Sequence, residues 1–381
     1  MSFGARIALA LILLVLVGGV LIIGNGAPVA SGFQIASLNL PSAKAEKPFY
    51  QEEFINASQD LPFVHVASVT ELVDHSLAAL WYGGPYEHSP ENQIYFSKER
   101  DGIWLSPQII MTTEQVEHDL NRPIKCLGNP LMLPNPDGTL RLLFVSIAMG
   151  KWSGSQLNTS LSKDGGTTWS RVESLTLSPF FNLSELVRNR PVRTTEGWCV
   201  PVYQEFLGKF PELLWLSEKD GKISYEKSRI AGGCSTLQPS LIPADARRAF
   251  ILLRDYTKTK RIFISRSTDA GLSWSKPEAT NLPNPDSGIS GIRLHEGRLL
   301  VTFNDATWGR SNLSLALSND EGRSWKRIAI LENDNEKSFS YPYMLQASDG
   351  IIHVTYSWDG KKVKEVTFNE AWVNGQEAKQ P

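Results

Sequence analysis

The chain has 381 residues, of which 41% are hydrophobic, 10% aromatic and 20% charged, with 29 Gly and 22 Pro. This composition is typical of a folded protein with a large core and many tight turns. The net charge is −2 at pH 7, so the charge balance gives no reason to expect a nucleic-acid ligand.

An uncharged apolar segment lies near the start of the chain. Residues 7–23 read IALALILLVLVGGVLII and come directly after Arg6. The segment is near the lower length limit for a bilayer-spanning helix, and the preceding positive charge favours export of the C-terminal body. We predict a membrane anchor in residues 1–24, a linker in residues 25–52, and a body in the periplasm or outside the cell, held at the inner membrane. A cleaved signal peptide, and therefore a secreted protein, is the alternative.

One octapeptide occurs three times further along the chain. It reads SKDGGTTW at residues 162–169, STDAGLSW at 267–274 and SNDEGRSW at 318–325, with weaker copies at 97–104 and 217–225. Ser and Asp can bond to the backbone of a tight turn, Gly supplies a positive φ, and Trp packs the turn against the strands behind it. Such repetition indicates one supersecondary unit for each copy.

The spacing of the repeats predicts the architecture. Their aspartates lie at positions 101, 164, 220, 269 and 320, so the intervals are 63, 56, 49 and 51. A period near fifty suits a four-stranded propeller blade, and short strand-like runs bounded by Gly, Asp, Asn or Pro recur throughout. Typical runs are residues 139–146, 249–253, 261–265, 298–303 and 351–356. We predict an all-β, six-bladed β-propeller over residues 53–370 with almost no helix, then a C-terminal tail over residues 371–381.

The three cysteines are far apart and show no metal-binding spacing. We expect them to be small buried hydrophobic residues, with one disulfide as the alternative if the body is exported. The sequence predicts neither a metal site nor a cofactor.

The repeated box and the apolar leader resemble the sialidase (neuraminidase) superfamily of Asp-box propellers, and look closest to bacterial predicted neuraminidases with BNR repeats. The resemblance covers roughly residues 63–368. It is carried by WYGG at 81–84, GNP at 128–130, RNRP at 188–191, QPS at 238–240, LPNPDSG at 282–288 and SYP at 340–342. The boxes themselves indicate fold rather than function. Asp164, Asp269 and Asp320 are therefore predicted to be structural.

The resemblance also implies a site at the opposite mouth of the channel. Sialidases hold the substrate carboxylate with three arginines, use a Tyr activated by a Glu as nucleophile, and use an Asp as acid/base. By position, the resemblance implies Arg254 and Arg310 as carboxylate ligands and Tyr341 as the nucleophile. The remaining predicted substrate-binding residues are Arg188, Arg190, Asn129, Gln238 and Asn304.

Three positions depart from that family pattern. His65 stands where the first arginine is expected. The acid/base Asp would fall near Ser89, which is flanked by Glu87 and Glu91 on the loop after the second strand. The activating Glu would fall within residues 238–240, where there is no acid, and Glu205 is the nearest spare candidate.

The predicted function is a sialidase-like exo-glycosidase that acts on a terminal carboxylated sugar of a glycan. One alternative is a polysaccharide lyase on a uronate-containing glycan, with His65 and Tyr341 as the proton-transfer pair. Another is a non-catalytic glycan-binding propeller. The aromatic platforms of that last alternative would be Trp81, Tyr82, Trp152 and Trp308.

Each candidate residue also has a purely structural interpretation. His65 could be a core histidine, and the Tyr341 hydroxyl could cap a strand. Arg254 could pair with Asp255 and Arg310 with Asp305 at the surface. The loop charges Glu87, Glu91, Arg188 and Arg190 could simply be solvated.

Overall fold

The computed structural model describes residues 31–35, 47–177, 182–206, 208–219, 222–230 and 235–379, together with Gly4, Leu9, Leu11 and Ile12. Within these residues no helix is long and apolar enough to cross a membrane. The rest of the predicted anchor lies outside the described residues, as do Cys234 and the box residue Asp220. Cys126 and Cys199 are buried and free.

The described part of the chain contains many short strands and two short α-helices. The first half of the strands comprises β1 (Tyr50–Phe54), β2 (Phe63–Glu71), β3 (Leu77–Gly84), β4 (Gln93–Arg100), β5 (Ile103–Trp104), β6 (Gln108–Met111), β7 (Cys126–Pro134), β8 (Leu140–Ile147), β9 (Ser155–Ser162), β10 (Glu173–Ser174), β11 (Leu186–Val187), β12 (Val192–Arg193) and β13 (Gly197–Gln204). The second half comprises β14 (Phe210–Lys219), β15 (Lys222–Arg229), β16 (Thr236–Pro243), β17 (Ala249–Asp255), β18 (Arg261–Ser267), β19 (Glu278–Pro283), β20 (Ser290–Arg293), β21 (Leu299–Phe303), β22 (Asn312–Ser318), β23 (Lys326–Asn333), β24 (Phe339–Gln346), β25 (Ile352–Trp358) and β26 (Lys362–Phe368). The helices are α1 (Thr113–Leu120) and α2 (Glu370–Ala378).

The strands form six antiparallel sheets, which are the blades of a β-propeller. Blades 1 to 5 follow chain order and consist of β2–β6, β7–β10, β11–β15, β16–β19 and β20–β23. Blade 6 consists of β24, β25, β26 and, on its outer edge, β1. The predicted six-bladed, all-β architecture is confirmed.

The two ends of the body close the ring together. Strand β1 pairs with β26 so that Tyr50 faces Phe368 and Phe54 faces Lys364. The first strand therefore begins at Tyr50, inside the region predicted as linker. Helix α2 lies in the region predicted as tail, where Trp372 stacks on Tyr50 with ring centroids 5.0 Å apart.

Another part of the predicted linker is also attached to the body. Phe33 is only 3% exposed and stacks on Trp215, with ring centroids 6.1 Å apart. Its backbone forms a bridge with Thr194 and donates to the carbonyl of Ala246 at 3.0 Å. Residues 31–35 are thereby held against blades 3 and 4.

The middle strands of the blades are largely apolar and buried on both faces because each blade is covered by a neighbour on both sides. Every residue of β3 and of β8 is buried, for example. This explains why such strands appear in the sequence as continuous apolar runs rather than as alternating patterns.

The three complete Asp boxes have the same hydrogen bonds, and these are structural as predicted. In the first box, the Ser162 hydroxyl donates to Asp164 Oδ1 at 2.8 Å and accepts from the Gly166 amide at 2.9 Å. Asp164 Oδ1 also accepts from the Thr168 amide at 2.9 Å. The boxes at Asp269 and Asp320 repeat this pattern. Each box comes directly after the third strand of its blade, so all three lie on one face of the propeller.

The innermost strands of four blades share a β-bulge near their N-terminal ends. The register shifts lie between His65 and Ser68, Gly128 and Leu131, Leu237 and Ser240, and Ser340 and Tyr343. At each bulge one residue has a positive φ, namely Val66 (49°), Asn129 (49°), Gln238 (51°) and Tyr341 (56°). Bulges bend a strand and redirect side chains, and here they do so at the mouth opposite the Asp boxes.

Candidate active site

Tyr341 is the centre of the candidate site. The bulge in β24 places its ring against three other side chains at the mouth of the channel. The His65 ring meets it edge-on with centroids 4.6 Å apart, and the guanidinium carbons of Arg310 and Arg188 lie 5.1 Å and 5.2 Å from its centroid. These residues belong to four different parts of the chain, so only the closed propeller brings them together.

Arg254 is held by two acceptors at the same mouth. Its Nε donates to Asp286 Oδ1 at 2.8 Å and its Nη1 donates to Gln238 Oε1 at 3.0 Å. The Gln238 amide nitrogen in turn donates to the Tyr203 hydroxyl at 3.3 Å. Arg254 therefore pairs with Asp286 across a blade boundary, and the surface pair with Asp255 does not form.

Arg310 is held more loosely, and its expected surface pair is also absent. Its two terminal nitrogens donate to Ser340 Oγ at 3.4 Å and to the carbonyl of Asp286 at 3.3 Å. The carboxylate of Asp305 pairs with Arg327 instead, at 2.7 Å. Arg310 thus retains hydrogen-bonding capacity for a ligand.

Arg188 is the third arginine beside Tyr341, and it is almost fully buried, at 2% exposure. Its terminal nitrogens donate to the carbonyls of Ile289, at 2.6 Å, and Pro342. Gly288 makes room for it, because a Cβ there would come within 2.9 Å of both Arg188 Cζ and Tyr341 Cδ1. Burial lowers the pKa of Arg188 to about 10, which leaves it cationic at neutral pH.

The three arginines determine the ionisation of their neighbours. Burial raises the pKa of Tyr341, but the charges of Arg254 and Arg310, with a smaller contribution from Arg188, outweigh it, and the net shift is downward. For His65, burial and then the charges of Arg310 and Arg188 lower the pKa to about 3. At neutral pH the site therefore holds a neutral imidazole beside a phenol that ionises more easily than usual.

The opposite wall of the mouth is aromatic and carries one carboxylate. Trp152 Nε1 donates to Glu87 Oε1 at 3.1 Å, and the Trp152 ring lies 6.1 Å from Tyr82. Tyr82 also lies 6.1 Å from His65 and has a buried hydroxyl with no partner among the described residues. Burial, and then the negative charge of Glu87, raises the pKa of Tyr82, and the same charge partly opposes the lowering of the Tyr341 pKa by the arginines. Both effects are consistent with a position of Glu87 facing the site.

Five other predicted residues have different surroundings. Glu91 is exposed on its loop, and only its amide bonds locally, to Ser89 Oγ at 3.2 Å. Glu205 pairs with Lys209. Asn304 is wholly buried and donates to the carbonyl of Phe339 at 2.9 Å, so its role is to hold the backbone. Asn129 is the bulge residue of β7, and Arg190 lines a separate cavity on the Asp-box face.

One of the predicted aromatic platforms is wrong. Trp81 is 0% exposed and stacks on Tyr95, so it is a core residue. Trp308 is 79% exposed and lies under the ammonium of Lys260, and its role as a sugar platform stays a prediction. Tyr82 is also 0% exposed and packs behind His65 and Trp152, whereas Trp152 is partly exposed.

Sequence reasoning missed the contributions of Asp286 and Tyr203. Asp286 holds Arg254 and has a φ of 64°, within the LPNPDSG motif that also contains Gly288. That motif was a usable signal, because Pro followed by Asp and Gly predicts a tight turn with a directed carboxylate. No local pattern marked Tyr203, whose partner Gln238 lies in another blade.

The fold and the mouth together define an Asp-box propeller whose channel opens on a tyrosine surrounded by arginines. Residues 75–354 match the BNR repeat-like domain, and the chain belongs to that family. No curated protein matches the sequence.

Several solved structures are similar in fold. The Hadza microbial sialidase Hz136 is 15% identical, with a TM-score of 0.68 over 84% of this chain and 68% of that one. A protein of unknown function from Dyadobacter fermentans is 15% identical, with a TM-score of 0.66 over 84% of this chain and 99% of that one. The intramolecular trans-sialidase from Ruminococcus gnavus is 14% identical, with a TM-score of 0.64 over 86% and 98%. At these identities the likeness shows a sialidase-type fold.

Proposed function

We propose that the protein is a sialidase-type exo-glycosidase that acts on a terminal carboxylated sugar. The observation that carries the proposal is the buried phenol of Tyr341, which lies beside the guanidinium groups of Arg188 and Arg310 and in the field of Arg254. Arginine suits a carboxylate because its parallel N–H groups can bond both oxygens. The same charges favour the phenolate, which is the nucleophilic form.

Each residue would then have a defined task. Arg254 and Arg310 bind the sugar carboxylate, while Gln238 and Asp286 hold Arg254 in position. Tyr341 Oη, as the phenolate that forms when its proton passes to solvent, makes a bond to the anomeric carbon as the bond to the leaving oxygen breaks, and neutral His65 packs edge-on against the Tyr341 ring.

Glu87 acts first as the acid and then as the base of the cycle. Its carboxylic acid gives a proton to the leaving oxygen, and its carboxylate then takes one from the water that displaces Tyr341. The hydrogen bond from Trp152 orients this side chain. The net products are the free sugar and the shortened glycan, with one water consumed.

A second candidate, elimination on a uronate-containing glycan, is favoured by one specific observation. Gln238 occupies the position of the activating acid, and the described group in edge contact with Tyr341 is His65. In this reaction the Tyr341 phenolate removes the proton α to a carboxylate that the arginines have neutralised, and the resulting phenol returns that proton to the glycosidic oxygen as its bond to carbon breaks. The product is an unsaturated uronate and no water is consumed.

A product screen with the purified full chain tests both reactions. Sialosides and uronate-containing glycans serve as substrates, with mass spectrometry for added water and ultraviolet absorbance for the unsaturated product. Hydrolysis of a sialoside supports the proposal, and an unsaturated uronate replaces it with elimination. Saturable binding without turnover would leave a glycan-binding propeller.

Tyr341→Phe and Tyr343→Phe form a matched pair for the screen. Both tyrosines lie on β24, but Tyr343 lines the other end of the channel. We expect Tyr341→Phe to abolish turnover and Tyr343→Phe to retain it. Full activity of Tyr341→Phe would remove Tyr341 as the nucleophile.

A further inference from the structure

A second cavity, of about 630 Å³, lies at the end of the channel away from Tyr341. Its walls come from the C-terminal ends of the innermost strands, including Arg293 on β20 and Leu345 on β24. The innermost strands run from the Tyr341 mouth towards the Asp-box face, so this cavity opens on the Asp-box face. It lies outside the site proposed for the sugar.

The cavity carries an excess of positive charge. Arg190, Arg193 and Arg293 line it, and none of them forms a side-chain hydrogen bond or ion pair within the described part of the chain. Arg193 stacks over the Trp198 ring at 4.7 Å. Among the described lining residues the acid is Glu71, which already accepts from the Ser348 amide at 2.9 Å.

Two buried donors at this cavity also lack acceptors. Arg190 Nε and Trp198 Nε1 are buried and have no hydrogen-bond partner among the described residues. Both N–H groups can only donate a hydrogen bond, so neither of them becomes an acceptor in another tautomer or rotamer. These two N–H groups have almost no accessible surface, so a ligand in the cavity would meet the terminal nitrogens of the arginines instead. Three guanidinium groups on one cavity, none with an ion-pair partner among the described residues, favour an anionic ligand.

We propose that this cavity binds an oxyanion, a carboxylate or phosphate group carried on a small apolar molecule. The terminal nitrogens of Arg190 donate to the oxyanion, and Arg193 and Arg293 add positive charge at the cavity wall. The apolar part of the ligand packs on Met132, Pro134 and Ile292, which line the same cavity. The cavity volume is within the usual range of small-molecule sites, roughly 300–1,000 Å³.

Calorimetric titration of the purified full chain with inorganic phosphate, phenyl phosphate and benzoate tests this site. The decisive variant is Arg190→Met, with Arg310→Met to remove carboxylate binding at the Tyr341 mouth. Arg323→Met is the matched control, because Arg323 is an exposed arginine in an Asp-box turn on the same face. We expect Arg190→Met to weaken binding at least about tenfold, while Arg310→Met and Arg323→Met retain this binding event.

A melting experiment separates a ligand site from a structural role. In buffer without these anions, Arg190→Met should melt at or above the wild-type temperature, because a partly buried cation without an ion-pair partner is removed. It should also lose the stabilisation that the tightest probe gives to the wild type. Tighter binding of phenyl phosphate or of benzoate identifies which oxyanion the site prefers.

Two results would overturn the proposal. One is the absence of saturable binding of all three probes to the Arg310→Met protein. The other is wild-type affinity in Arg190→Met. If Arg190→Met does not fold, Arg293→Met takes its place, since Arg293 is partly exposed, and the same loss of affinity is required.

Discussion

The ring of His65 meets the ring of Tyr341 edge-on, with centroids 4.6 Å apart. His65 lies on β2 of blade 1 and Tyr341 on β24 of blade 6, the two blades on either side of the point where the ring closes. Closure of the propeller by β1 and β26 therefore also completes the candidate site. Loosening that closure should disturb the chemistry as well as the stability.

Replacing Arg310 should impair the site without unfolding the protein. Among the described residues its side chain hydrogen-bonds to Ser340 Oγ and one carbonyl and lies over the Tyr341 ring, so Arg310→Ala removes little of the fold. Loss of one guanidinium group that binds a ligand carboxylate costs about 2–5 kcal/mol, so kcat/KM or the affinity should fall at least about tenfold. Arg323→Ala is the control, and equal activity in both variants would exclude Arg310 from the site.

The ionisation of Tyr341 can be measured by alkaline titration. The arginines lower its pKa although burial opposes them, so its phenolate forms at a lower pH than that of an ordinary tyrosine. Activity that depends on the phenolate should rise with pH through this lowered pKa. The ultraviolet titration curve of the wild type, minus that of Tyr341→Phe, should show one tyrosine that ionises at a lower pH than an ordinary tyrosine. Arg310→Met should raise the pH at which this tyrosine ionises. An unchanged titration curve in that variant would contradict the claim that Arg310 lowers the pKa of Tyr341.

Gly288→Ala tests whether activity requires the close packing of Arg188 and Tyr341 against Gly288. The new Cβ would lie within 2.9 Å of an atom of each residue, so one of them must shift. A displacement of about 1 Å in a catalytic group can cost up to about a hundredfold in rate, and we expect a fall of more than about tenfold. In Gly375→Ala, by contrast, the added methyl meets nothing within 4 Å, and activity should be retained. Wild-type turnover in Gly288→Ala would show that the packing tolerates the shift.

The Asp boxes should make the fold sensitive to strong acid. Hydrogen bonds from Thr168 to Asp164, and from Ser324 to Asp320, lower the pKa of each carboxyl to about 2. A pKa that is lower in the folded state contributes stability above the unfolded value, roughly 4, and this stability is lost as the pH falls towards 2. The melting temperature should therefore drop steeply over that interval. Asp320→Asn should lower the melting temperature at neutral pH and flatten this dependence, whereas Asp60→Asn at an exposed site should do neither.

The location of the body is predicted from the sequence and can be tested with a reporter fused after Pro381. The apolar run of residues 7–23 with Arg6 before it favours export of the propeller. We expect a reporter that works only after export to be active, and activity of a cytoplasmic reporter would refute this topology. Membrane retention in alkaline carbonate would distinguish the anchor from a cleaved signal peptide.

The architecture could be predicted from the sequence because each Asp box depends on interactions within a single turn. The Ser, Asp, Gly and Trp of each box bond within one turn, so their pattern is readable without knowledge of the rest of the chain. Strands such as residues 249–253 and 351–356 were recognisable for the same reason. The spacing of the boxes then set the size of a blade and the number of blades.

Part of the site was predictable because its residues lie in short sequence motifs. In the structure these motifs form β-bulges. Gln238 and Tyr341 each precede a proline and adopt a positive φ, and both are turned to the same mouth. The convergence of His65, Arg254 and Tyr341 could be expected only through resemblance to a family, because they are far apart in sequence.

The tertiary structure alone decided which side chain serves which end of the channel. Arg188 and Arg190 are two residues apart and have the same charge, yet Arg188 lies beside Tyr341 and Arg190 lines the opposite cavity. The chain between β11 and β12 is irregular, so strand alternation cannot predict these directions. Burial separates Trp81 from Trp152 in the same way, since it depends on neighbouring blades that are distant in sequence. The hydrogen bonds of a turn are local and can therefore be predicted from the sequence. Which side chains face each end of the shared channel is decided only when six blades close around it.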